Sequence, residues 1–155
     1  MISPLEHFSA GENLYTKMVA PVCEKHNLTY MEFTVLMFLY NKPQYDTATQ
    51  IVKIRRLSKS HVSISIRSLQ ERGLLNCSYQ NQDHRTIHLS LTKAAEPIVL
   101  DGAKAQKAFS DIIYTGFTGD EVDLLMSLLS RIDQNIIEKT NELLNKQEVS
   151  SHGGQ

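Results

Sequence analysis

The chain has no apolar run near the roughly 18 residues a membrane-spanning helix requires. Its opening, Met1 to Asn13, has neither a basic leader nor a long apolar stretch behind it. Membrane insertion and export are therefore not expected, and a cytoplasmic location is. Cysteine is scarce. Cys23 and Cys77 stand far apart, which suits a reducing compartment and not a disulfide scaffold. There is no G-x-S-x-G, no phosphate loop, no H-E-x-x-H and no Gly-rich dinucleotide motif, so no enzyme class and no cofactor is indicated. Internal repeats and low-complexity linkers are also missing, and only 147–155 reads as a frayed tail. With 155 residues and 41% hydrophobic content, the chain makes one domain, or two closely joined lobes, with an ordinary core.

Excess charge of either sign is missing overall, since the net charge is -1, but the distribution along the chain is uneven. From Lys42 to Lys93 nine Lys/Arg face only Asp46, Glu71 and Asp83, whereas the remainder holds seven Lys/Arg against fourteen acids. One segment is locally basic, as phosphate contact requires.

That segment contains the stretch around which the chain is organised. From Ser58 to Arg72, Val62, Ile66, Leu69 and then Gly73 fall on one stripe of a helix at about 100° per residue, and Ser60, Ile64, Arg67 and Glu71 fall opposite. One face packs and the other is presented. Gly73 is placed to end the helix at positive φ. Leu75, Cys77 and Tyr79, then Ile87, Leu89 and Leu91, alternate with polar residues, so two strands follow, with Cys77 facing inward. The polar run Gln80 to Arg85 forms the hairpin tip. A helix, a Gly stop and a hairpin with a basic tip make a winged helix.

Upstream, helical spacing covers about 4–26, with Pro21 expected to kink or interrupt it. Thr29 and Glu32 form a capping box, and Leu28 and Phe33 form its hydrophobic staple, for a buried helix to Tyr40. Thr47 and Gln50 repeat the box for a short helix, and Ser58 is the N-cap of the presented helix. After the wing, Thr92 caps an Ala-rich helix that stops at Gly116. Phe117 to Val122 then opens a last helix to about Lys146. Along that helix Val122, Leu125, Leu129, Ile132, Ile136 and Leu143 make a stripe wider than one neighbour needs, which with the first helix suggests a dimer interface. The fold class is mainly α with a small β-hairpin wing. A winged helix-turn-helix lobe spans about 28–92, and a helical dimerisation lobe is built from about 4–26 and 93–146.

Leu57-Ser58-Lys59-Ser60-His61-Val62-Ser63, Leu69-Gln70-Glu71-Arg72-Gly73-Leu74, Asp83-His84-Arg85 and Leu91-Thr92 resemble the signature of the MarR family of bacterial transcription regulators, and Leu28 to Phe33 resembles that family's second-helix opening. The resemblance implies a homodimer with intertwined terminal helices and two winged-helix lobes on a palindromic double-stranded DNA operator, usually a repressor released by a small molecule or oxidant. It implies that Ser60, His61, Ser63 and Ile64 enter the major groove, that Lys59 and Arg67 contact phosphates, and that Arg85 is the wing arginine of the minor groove. Asp83 then pairs with Arg85 or braces the tip. The resemblance implies an effector pocket for a small aromatic or phenolic molecule, which Tyr15, Met18, Tyr30, Phe33 and Phe109 could line, although residues of this kind more often serve simply as core.

The sequence also departs from the family pattern. Arg56 stands where Gly is frequent in the turn before the presented helix, Arg55 where a small or apolar residue is common, and Ile64, Ser65 and Ala95 are likewise unusual. The turn is therefore expected to follow another path. Two alternatives stand beside the regulator: a winged-helix module whose basic face takes a protein partner, and a redox- or metal-responsive regulator using Cys23 with Glu24 and His26. No zinc set forms around His84 and His88, so no metal site is expected.

Overall fold

The computed structural model describes residues 4–79 and 86–152, with side chains over 9–79 and 86–143. Its elements are α1 (Pro4–Lys25), α2 (Tyr30–Asn41), α3 (Ala48–Arg55), α4 (Lys59–Glu71), β1 (Leu75–Tyr79), β2 (Ile87–Leu91), a 3-10 turn (Lys93–Ala95), α5 (Glu96–Ile113) and α6 (Gly119–His152). They form two compact units, one up to Asp111 and one from Ile112 on. The architecture is mainly helical with one antiparallel hairpin.

In the first unit, α2 is the central element. Every side chain from Glu32 to Leu39 is buried, and α2 packs on α4, β2 and α1. Its start is fixed by the reciprocal box: the Glu32 amide donates to Thr29 Oγ1 at 3.1 Å and the Thr29 amide to Glu32 Oε2 at 2.7 Å. Thr47 and Gln50 do the same for α3, with Gln50 Oε1 accepting from the Thr47 amide at 3.0 Å. Ile51, Val62, Leu69, Leu75 and Leu89 complete the core beneath α3, α4 and the hairpin.

The hairpin pairs Leu75 with Leu91 through to Tyr79 with Ile87. Its base is anchored to the loop before α3: Thr47 and His88 form a β-bridge, the Leu89 amide donates to Asp46 O at 2.7 Å, and His88 Nδ1 lies 2.9 Å from Asp46 Oδ2. Leu75 and Leu89 point inward, Cys77 is half-buried, and Tyr79 and Ile87 are exposed as the strands leave the core.

Several local expectations need correction. The first helix runs through Pro21 unbroken. Pro21 lies on an exposed face beside Lys17, whose carbonyl loses its helical partner and can turn to water. Ser58 precedes α4 but does not cap it with its side chain, because its hydroxyl is 2.9 Å from Ser60 Oγ. Thr92 opens a 3-10 turn instead of α5 and also gives no side-chain cap. Its hydroxyl donates to Gly73 O at 2.7 Å, fastening the end of the wing to the end of α4. In the turn between α3 and α4, Arg56 itself adopts the left-handed conformation, φ 52° and ψ 42°. Gly73, φ 68°, ends α4 as its lack of a Cβ permits.

In the second unit, Thr118 and Glu121 form the expected capping box, with the Thr118 amide donating to Glu121 Oε2 at 2.7 Å. The helix they open reaches His152, beyond the expected Lys146. Leu124, Leu128, Ile132, Ile136, Ile137 and Leu143 lie exposed along it, while Val122, Leu125 and Leu129 are half-buried.

Candidate nucleic-acid interface and effector cavity

The presented helix is held from behind and left open in front. Val62 and Leu69 are fully buried, and Ser65 is buried between them. Its far end is held by polar contacts. Ser68 Oγ donates to Glu32 Oε1, while Arg72, just past α4, donates to Asn27 O at 2.9 Å and His26 O at 2.8 Å and stands 3.8 Å from Glu32 Oε2. Burial alone would raise the Glu32 carboxyl. The hydrogen bonds from Ser68 and Thr29, with the Arg72 charge, outweigh that and hold it below its ordinary value. One carboxylate therefore caps α2 and anchors α4.

On the opposite face Lys59, Ser60, His61, Ser63, Ile64 and Arg67 are all exposed, Ile64 at 65%. Apart from Ser60, none of these side chains has a hydrogen-bonding or ionic partner among the described residues. The face combines hydroxyls and an imidazole able to hydrogen-bond base edges, an apolar group suited to a thymine methyl, and two cations suited to phosphates. Arg85, Asp83 and His84 lie outside the described residues.

Behind this head, the first unit contains a cavity of about 620 Å³. Tyr15, Tyr30 and Phe109 line it, together with Arg55, Lys42, Asn41, Gln106 and Glu12. Met18 and Phe33 do not: Met18 is half-buried elsewhere, and Phe33 is fully enclosed in the core. The Tyr15 ring meets Phe109 edge-on at 5.2 Å. Its hydroxyl accepts from Gln106 Nε2 at 2.7 Å, and Gln106 Oε1 in turn accepts from Asn41 Nδ2 at 2.9 Å. Burial raises the Tyr15 phenol, which stays protonated and able to donate. Aromatic walls with the Lys42 and Arg55 cations and the Glu12 carboxylate in the lining suit a flat molecule carrying polar groups. The polar members come from α1, the end of α2, α3 and α5, with only Asn41 and Lys42 adjacent in sequence, so no single motif announced them.

Cys23 is buried, and burial pushes its thiol up, away from the thiolate that oxidation or metal binding needs. Its neighbour His26 is instead committed to Asp101, 2.9 Å away, which also accepts from Lys25 at 2.7 Å. Among the described residues no group of three or more metal-ligating side chains is assembled.

Residues 26–76, which run from the turn before α2 into the hairpin, match the model of the MarR family. Over these residues, about a third of the chain, the protein is similar to the MarR family. The solved structures agree in fold. A MarR-family regulator from Listeria monocytogenes, in complex with a 26mer DNA, superposes with a TM-score of 0.79 at 18% identity over 90% of this chain and 92% of that one. MepR of S. aureus in its DNA-binding conformation gives 0.77 at 17% identity over 87% and 99%. BpsR of Bordetella bronchiseptica, whose DNA binding is regulated by 6-hydroxynicotinic acid, gives 0.64 at 20% identity over 84% and 99%.

Proposed function

We propose that this MarR-type chain is a repressor that binds a palindromic operator as a homodimer and is released by a small aromatic or phenolic effector. The observation that carries this reading is the outward face of α4, where Ser60, His61, Ser63, Ile64 and Arg67 are exposed on a helix whose other face is locked into the core. A helix so divided is built to present side chains to a groove. Ser60, His61, Ser63 and Ile64 read base edges. Lys59 and Arg67 hold phosphates, and Arg85 at the wing tip enters the minor groove.

The dimer assigns α1, α5 and α6 to one dimerisation lobe, with the exposed apolar side chains of α6 as its main contact surface. The effector sits among Tyr15, Tyr30 and Phe109. By analogy with BpsR, whose regulator is an aromatic acid, occupancy of this cavity lowers DNA affinity. It does so by changing the spacing of two reading helices that must meet half-sites about 34 Å apart.

The test is fluorescence anisotropy of the purified chain with the DNA upstream of its own gene, across salt. Nanomolar binding to a palindromic stretch is expected. Scrambling the half-sites should abolish competition, and Arg67→Ala and Arg85→Ala should each weaken binding several-fold. Micromolar binding that ignores both scrambling and the arginines would reject the reading in favour of a module that uses its basic face on protein.

A further inference from the structure

Four described residues have positive φ: Asn27, Arg56, Gly73 and Gly116. Two are glycine, and asparagine tolerates the left-handed region better than most residues. Arg56 has neither excuse, since it carries a Cβ and a long side chain where glycine would be conformationally cheaper. Nor does its guanidinium give anything back to the fold. It is exposed and has no hydrogen-bonding or ionic partner among the described residues. An unfavourable backbone state kept for a side chain that touches nothing inside the chain implies a reason outside it.

The surroundings indicate the partner. Arg56 stands just before α4, whose first residue is Lys59, and no acidic residue occurs between Asp46 and Glu71. That acid-free stretch carries Lys53, Arg55, Arg56, Lys59 and Arg67. Arg55 is turned to the cavity, whereas Arg56, across the left-handed turn, is open to solvent. We infer that Arg56 is a phosphate-binding residue of the DNA interface, gripping the backbone beside the point where α4 enters the groove. The inference rests on the DNA-binding reading above and adds a residue to it. Its rival is local: a cation at the end of α3 would merely favour that helix's dipole.

The two roles predict opposite outcomes for Arg56→Gly, because glycine relieves the left-handed strain while removing the charge. If Arg56 binds phosphate, the variant melts higher than wild type yet binds DNA less well. On a mixed-sequence duplex the slope of log affinity against log salt becomes shallower by about two for a dimer, one contact per protomer. Arg56→Lys should retain most of the slope. Arg56→Asn, which tolerates the left-handed region without charge, should behave like glycine and covers the case in which the glycine variant folds poorly. An unchanged slope in both uncharged variants, with wild type still binding steeply, would overturn the inference and leave the regulator intact. Wild-type binding without salt dependence would overturn both.

Discussion

At Glu32 two kinds of order meet, the local order of a helix start and the tertiary order of one helix on another. Its two oxygens serve the Thr29 amide and the Ser68 hydroxyl, with Arg72 nearby, and the side chain is 8% exposed. Glu32→Ala should therefore cost about 2 kcal/mol, more than an exposed cap, because a half-buried hydroxyl and a cation lose their partner together. Urea denaturation at neutral pH checks this. The same residue sets a pH dependence. Its carboxyl is held below the ordinary 4.5, so its stabilisation is fully present above that value and is lost as pH falls through the lower native one. Asp101, also held well below its ordinary value by hydrogen bonds from Lys25 and His26, acts in the same direction at still lower pH. Wild type should lose stability steadily below about pH 4.5, and Glu32→Ala should lose less over the same range.

Among the elements, the helix starts show what the sequence could and could not reveal. Thr29, Thr47 and Thr118 each have a Glu or Gln three residues on, and all three pairs close into boxes. Ser58 and Thr92 lack that partner. Their hydroxyls found other neighbours, Ser60 and the carbonyl of Gly73, which a one-dimensional pattern cannot foresee. The two faces of α4 were legible from spacing alone, whereas the cavity was only partly so, because aromatic residues at helical spacing serve cores and pockets alike. Phe33 is core and Tyr30 is wall.

The packing of α5 on α2 yields a further test at Gly102, which is buried. A Cβ there would lie 2.9 Å from Phe33 Cε2 and closer still to Met37 Sδ. Alanine is the better helix former by about 1 kcal/mol, yet overpacking a closed core costs about 1–3 kcal/mol. Gly102→Ala should therefore lower stability by about 1 kcal/mol net, as read from the thermal midpoint. A rise in midpoint would mean that Met37 yields freely.

For the whole molecule, the decisive quantity is the apolar surface left along α6. Leu128, Ile132, Ile136 and Leu143 are each more than 40% exposed in the single chain. A surface of that kind is normally covered by a partner. Ile132→Glu with Ile136→Glu should give a monomer in sedimentation equilibrium while the first unit keeps its helical signal. DNA affinity should fall by orders of magnitude, because one half-site then has to bind alone. A doubly substituted chain that still sediments as a dimer would place the interface elsewhere.

The division of α4 into a working back and an open front also bears on how such a chain diverges. Val62, Ser65 and Leu69 are tied to the core, whereas Ser60, His61, Ser63 and Ile64 are exposed and bear none of its packing. Substitutions at the first set are filtered by folding, and those at the second are filtered only by what the surface meets. Gene duplication followed by drift at those four positions could change the target in small steps through viable intermediates, with the scaffold inherited unchanged.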